Sequence, residues 1–231
     1  MKLRTALLGS AAALLTTVGA AHAAIIDLTF EGVNAVYPST DYAEILNFYN
    51  GGTSNQGTSG PNYGISFPDN ALAICLNTPG NVCSNTSRGG LGDPNSQKGA
   101  LFFLSGSNTF LNDPAGFQNG FSFNYVAINT GGSVTVYSGL DGTGSVLATI
   151  NLPTTPSGCP AVYDAGFCPF FPIGVTFAGT AMSIGFSGVA NQIVFDDVTF
   201  GSSHPGVPEP ATLALLGVGL LGLGIARRKT R

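Results

Sequence analysis

Two adjacent acids inside an apolar run are the residues whose placement most demands chemistry. They are Asp196 and Asp197 in Ile193-Val194-Phe195-Asp196-Asp197-Val198-Thr199-Phe200. Side chains of a strand alternate between its faces, so Ile193 and Phe195 share one face while Val198 and Phe200 share the other. One aspartate must then lie on an apolar face. A β-bulge at the pair would rejoin the apolar residues and push both carboxylates to the rim. Alternatively one carboxylate is buried and needs a partner, because an isolated buried charge is costly. Calcium suits either case, since it takes oxygen ligands only. The expected ligands are Asp196 and Asp197 with Glu31, or with Asp27, from the first strand; a solvated, hydrogen-bonded pair at a bulge is the plainer alternative.

Little else is arranged for catalysis. His204 lies in a Pro/Gly linker, so neither a Ser-His-Asp nor a Cys-His arrangement can be assembled in the body of the chain. Asp27, Glu31, Asp41, Glu44, Asp69, Asp93, Asp113, Asp164, Asp196 and Asp197 are available as paired carboxylates for glycoside cleavage, but no two are singled out. The expectation is that the protein is not an enzyme. Sugar stacking needs an aromatic platform; with no Trp, it would fall to Tyr37, Tyr42, Tyr49 and Tyr63. The Asn85-Thr86-Ser87 sequon is read as accidental.

Four cysteines, Cys75, Cys83, Cys159 and Cys168, fall as two local pairs. Four cysteines allow three connectivities, and two local loops are the simplest. Loops this short would contribute about 2–3 kcal/mol each by constraining the unfolded chain. A zinc site is disfavoured by the lack of body histidines and by the spacing.

The elements that must hold these residues read as strands. Runs rich in β-branched and aromatic residues, bounded by Gly, Pro, Asn or Asp, occupy 24–30, 63–67, 71–76, 100–104, 120–128, 133–137, 145–152, 173–177, 181–186 and 192–200. Phe121, Phe123 and Tyr125 alternate with Ser122, Asn124 and Val126, the period of a half-buried strand. Asp141-Gly142 supplies the positive-φ positions of a hairpin turn. The stretch 41–49 fits two helical turns or a loop. The long polar stretches 50–62 and 78–98 read as surface loops. Ten short strands without crossover helices predict an all-β, antiparallel two-sheet sandwich, with a jelly roll as the expected topology.

Charge is sparse and one-sided. With the two ends set aside, eleven acids face only Arg88 and Lys98, a net charge near −9. Such a surface repels phosphate backbones and anionic lipid, which excludes nucleic acid as a partner. Calcium and neutral polysaccharide suit it better.

The ends look like addresses rather than fold. Residues 1–23 have a basic start, an apolar run over 6–18 and Ala21-His22-Ala23 before a cleavage point, the pattern of a signal peptide. The body would span 24–203 and a linker 204–210, ending in Pro208-Glu209-Pro210. An apolar helix over 211–226 would cross the inner membrane, and Arg227-Arg228-Lys229-Thr230-Arg231 would hold its end in the cytoplasm. The tripeptide, apolar segment and Arg cluster closely resemble the PEP-CTERM sorting tail of exported bacterial proteins. That resemblance covers only the tail. It implies an exosortase-like membrane protease as partner, transient anchoring and then a cell-surface or extracellular destination. It also implies a biofilm or exopolysaccharide setting. More weakly, 27–32 with 195–198 resembles the strand ends that hold structural calcium in jelly-roll carbohydrate-binding modules.

The leading expectation is a non-enzymatic surface or extracellular-matrix protein. A lectin-like module, calcium-dependent or not, is the first alternative; a secreted carboxylate-dependent hydrolase is the second.

Overall fold

The structure is a computed structural model that describes residues 25–83, 89–163 and 166–205. The expected signal peptide, the sorting tail with Pro208, Glu209, Pro210, Arg227 and Arg228, the sequon, Arg88 and Asp164 lie outside the described residues.

Nine strands form: β1 (Ile26–Leu28), β2 (Tyr42–Glu44), β3 (Leu72–Cys75), β4 (Gly99–Phe102), β5 (Asn108–Ala127), β6 (Gly132–Tyr137), β7 (Val146–Leu152), β8 (Phe171–Ser187) and β9 (Ile193–Phe200). Helix is confined, among the described residues, to two three-residue 3₁₀ turns. Among the described residues all strand-to-strand ladders are antiparallel, in the order β2-β3-β4-β9-β5-β8-β6-β7, with β1 also on β9. The stretch 41–49 becomes β2 followed by turns rather than helix, because Tyr42 to Glu44 pair with Ile74 to Leu72. The run 63–67 makes only a bridge, Ser66 to Asn112. The Asp141-Gly142 turn forms as read, at φ of 52° and 71°.

Two of the expected strands, 173–177 and 181–186, are one strand, β8, and β5 begins twelve residues before the expected 120. Pro114, Gly116, Asn119 and Gly120 are residue types disfavoured in regular strands, yet β5 runs through them. They bend it instead. Its register on β8 slips between Asn112 and Phe117 and again before Asn119. Gly116 and Asn119 both have φ of 76°, and Gly179 across from them has φ of 95°. The bend folds the β5–β8 pair over, so that Phe186 from one end meets Phe123 from the other at 6.3 Å between centroids. Phe195 of β9 joins them, 4.7 Å from Phe186 and 5.6 Å from Phe123. The two apolar layers are thus joined by one continuous ladder that bends over on itself.

A second apolar cluster sits on the opposite face, where Leu72, Ile74, Phe102, Val126 and Val194 receive Phe167. Phe167 is held there by the cysteine loops. Cys75 bonds Cys83 and Cys159 bonds Cys168. The Cys159–Cys168 loop meets the segment that follows the first disulfide, where the Phe167 amide donates to the Gly89 carbonyl at 2.9 Å. Gly90, at φ 122°, lies against the Phe167 backbone where any Cβ would collide.

Candidate functional site: a buried carboxylate cluster at the β9 bulge

Strand β9 resolves its phase conflict by a bulge. Ser122 of β5 pairs with Thr199 and Asn124 with Asp196, so one β5 residue faces two on β9. Asp197 absorbs the extra residue at φ 47°. Ile193, Phe195, Val198 and Phe200 therefore all enter the same core cluster, while Val194 turns to the other. The carboxylates do not reach the rim, however. Asp196 is 0 % exposed and Asp197 2 %. The loop after the first disulfide folds over them and brings Asp93 and Ser96.

The hydrogen bonds show how tightly this region is drawn. Ser96 Oγ lies 2.9 Å from Asp196 Oδ2 and 2.7 Å from Asp197 Oδ1. Asn124 Nδ2 donates to Asp93 Oδ2 and Asp197 Oδ2, both at 3.0 Å. The Asp197 amide donates to Asp196 Oδ1 at 2.9 Å, and the Asn95 amide to Asp93 Oδ1 at 2.9 Å. Thr199 Oγ1 reaches Asp27 Oδ1 at 3.4 Å and the Asp197 carbonyl at 3.0 Å. A hydroxyl has one proton, so Ser96 can donate to only one of its two carboxylates at a time. The cluster is short of positive charge. Among the described residues Lys98 and His204 are the basic side chains; Lys98 Nζ stands over the Tyr37 ring at 5.6 Å, and His204 hydrogen-bonds with Ser203.

The electrostatics follow. Burial and then the Asp197 charge raise Asp27 to about 6. Burial raises Asp93, with Asp197 adding to it. Asp196 is driven well above the usual carboxylate range, first by burial and then by Asp197.

Glu31, expected beside the Asp pair, does other work: its Oε1 accepts the amides of Lys98 at 2.6 Å and Gly99 at 3.2 Å and so fixes the start of β4. Among the described residues, no group of three or more His, Cys, Asp or Glu side chains is arranged as it stands to hold a metal ion. Ser96 and Asn124 lie between the carboxylates instead. The residues that sequence reasoning missed here are Ser96, Asn124 and the role of Asp93. Asn124 carried a signal, as a polar residue on the face of β5 away from the phenylalanines. Asp93 and Ser96, in a Pro/Asn/Ser turn, carried none.

The tyrosines do not form a platform. Tyr49 is buried and accepts the Phe30 amide, and Tyr63 stacks on it at 6.2 Å. Tyr37 donates to the Leu76 carbonyl at 3.0 Å. Tyr42 is 37 % exposed but set edge-on against Phe102. A cavity of about 280 Å³ beside Cys159 and Cys168 is lined by Val126, Ile128 and Thr155, with no ionisable or aromatic side chain.

The fold defines an all-β body with two local disulfides. Residues 206–229 match the PEP-CTERM protein-sorting motif. That motif implies a protein exported, transiently anchored and sorted by an exosortase. Among the described residues no helix is long and apolar enough to cross a membrane. No curated protein matches the chain significantly. Solved structures similar to it include the CsCBM6-3 module of Clostridium stercorarium in complex with cellobiose, at 19% identity over 59% of this chain and 86% of that one, TM-score 0.35. Another is the carbohydrate-binding module CBM6cm-2 of Cellvibrio mixtus lichenase 5A with cellotriose, at 15% identity, 58% and 88% coverage and TM-score 0.34. A third is the K3 cleaved adhesin domain of Lys-gingipain from Porphyromonas gingivalis W83, at 13% identity, 77% and 98% coverage and TM-score 0.34. These likenesses are too distant to carry an argument about ligand.

Proposed function

We propose that this chain is a non-enzymatic component of the bacterial cell surface or extracellular matrix, delivered there by its sorting tail. The observation that carries the reading is the motif at 206–229, attached to a body whose clustered carboxylates are buried rather than set across a cleft. A glycoside-cleaving pair has to face the scissile bond from two sides with room for the sugar. Asp196 and Asp197 lie instead beneath the loop that carries Asp93. A lectin-like role has less support, since the four candidate tyrosines are packed against their own neighbours. The test is fractionation of the producing bacterium. The protein is expected in the surface or matrix fraction with its apolar tail removed, and to stay in the inner membrane when the exosortase gene is deleted. Recovery from the cytosol with Met1 intact and thiols reduced overturns it.

The carboxylate cluster favours a second, structural reading: a calcium site that locks β9 to β1 and to the loop above. Its donor chemistry fits, being oxygen-rich and lacking a basic counter-charge among the described residues. Asp93, Asp196 and Asp197, with Asp27 beside Thr199, would hold the ion, and Glu31 drops out of the expected set. Calcium would supply the missing positive charge. Chelator should lower the melting temperature of the wild type and leave an Asp196→Asn/Asp197→Asn variant unmoved. At calcium a hundredfold above Kd the stabilisation is about 2.7 kcal/mol. A wild type indifferent to chelator removes the calcium reading and leaves the sorting reading untouched.

A further inference from the structure

We propose that residues 201–204 are a releasable strap docked across the body, whose undocking sets the rate at which the sorting tail is processed. This rests on the sorting reading and adds a step within it. Past β9 the chain does not leave the body at once. The Gly201 amide donates to the Gly120 carbonyl of β5 at 2.9 Å. A Cβ on Gly120 would stand 2.9 Å from both the Ser202 carbonyl carbon and the Ser203 nitrogen, and one on Gly174 of β8 would collide with the Ser203 carbonyl. Gly120 pairs with Thr176 and Gly174 with Ser122 in the β5–β8 ladder. Glycine within a strand often marks the close approach of another backbone. Here the two clear a groove that the strap fills.

The docking is weak. Gly201 and His204 are exposed, Ser202 and Ser203 are half-buried, and none of the four carries an apolar side chain. Among the described residues one hydrogen bond, from Gly201, joins the strap to the body. The others are its own: Ser202 Oγ donates to the His204 carbonyl at 3.0 Å and accepts the His204 amide at 3.1 Å, and Ser203 Oγ lies 3.2 Å from His204 Nδ1. Ser122, whose Cβ crowds the same point at Gly174 as the Ser203 carbonyl, is fully buried, and its Oγ lacks a hydrogen-bond partner among the described residues. Burying a hydroxyl without a partner is unfavourable. A segment held so lightly opens locally while the sheet stays folded.

Docking also shortens the leash. Pro205, Gly206 and Val207 alone separate His204 from Pro208. Three residues reach about 10 Å at full extension, too little for a membrane protease to draw the motif into its cleft with the body clear of it. Undocking adds the four residues of the strap and more than doubles the reach. Where opening and closing outpace cleavage, cleavage follows the population of the open form.

The test follows tail removal in the producing bacterium by pulse-labelling. It also follows exchange of the Gly201 amide in the full chain purified from an exosortase-deleted strain. Gly120→Val, whose nearest neighbours are all strap atoms, should quicken both about tenfold, the factor that about 1.4 kcal/mol of lost docking gives. Inserting Gly-Ser-Gly-Ser after Pro205 leaves the groove intact. It should quicken tail removal alike while Gly201 exchange stays at the wild-type rate, and adding Gly120→Val to it should bring no further gain in removal. Should Gly120→Val fail to fold, the insertion decides alone. Exosortase-dependent removal at the wild-type rate in the insertion variant overturns the strap and leaves the sorting reading standing. So does a wild-type Gly201 amide that exchanges freely, or a folded Gly120→Val with faster exchange and unchanged removal. A wild-type tail that is removed without the exosortase, or never removed, overturns both.

Discussion

Strand β9 is buried along all eight residues and is hydrogen-bonded on both sides, whereas β7 is hydrogen-bonded to β6 alone and shows Val146, Thr149 and Asn151 to solvent. Yet β9 holds two aspartates and β7 holds no charge. On composition alone the placements should be reversed. The difference teaches that position in a sheet is set by how many faces and edges a strand must satisfy, not by its mean polarity. β9 needs an apolar residue toward each cluster, and the bulge at Asp197 lets it supply both. The aspartates are tolerated because one loop and one β5 amide close over them. β7 needs apolar residues on one face only, and it carries nothing that would repel a further strand.

The sharpest way to break this contrast is at Phe195. Its ring is fully buried between Phe186 and Phe123, so it ties β9 to both ends of the folded β5–β8 pair. Phe195→Ala should cost about 3–5 kcal/mol, as large-to-small changes at buried aromatics do. Urea unfolding of the variant measures it. A loss below about 1 kcal/mol would mean the two layers do not depend on this contact.

How far the sequence announced this architecture can be judged residue by residue. The phase slip between Ile193/Phe195 and Val198/Phe200 is a local signal; it offers a bulge or a buried carboxylate as alternatives, and the structure has both at once. The alternation of Phe121, Phe123 and Tyr125 is local too, and so is Asp141-Gly142. The arrival of Asp93 and Ser96 over Asp196 is not local: about a hundred residues separate them, and only tertiary contact joins them. The length of β5 was hidden for a different reason. Pro114, Gly116 and Asn119 are turn formers by propensity, and cross-strand pairing with β8 overrode them. Glu31 was placed on the cluster because it follows β1, but its carboxylate satisfies the first amides of β4 instead.

A smaller effect sharpens the same comparison through pH. In chelator, the clustered acids must hold protons to be buried cheaply. Asp27 is raised to about 6, and Asp93 and Asp196 are raised in the same direction, by burial first and then by Asp197. A carboxyl with a raised folded pKa binds more protons folded than unfolded between its two values. Its contribution is therefore fully present below the ordinary carboxylate range near pH 4 and is lost as pH rises through about 6. Denaturant midpoints measured from pH 4 to pH 8 should fall with pH in chelator. They should flatten in calcium, whose charge replaces the protons. A midpoint that rises over this window in chelator would show the carboxylates to be compensated by some other group.

The smallest expected effect belongs to β7. Thr149 is exposed, its neighbours along the strand carry no charge, and none of its side-chain atoms takes part in a hydrogen bond among the described residues. Thr149→Glu should change the stability of the isolated body by no more than about 0.5 kcal/mol, the usual range for a surface substitution. Glutamate is a poorer strand former than threonine, so the sign should be a slight loss. Urea unfolding of the two proteins measures the difference. A Thr149→Glu loss of several kcal/mol would mean that β7 is covered at this residue. The contrast with β9 would then fail at its exposed end.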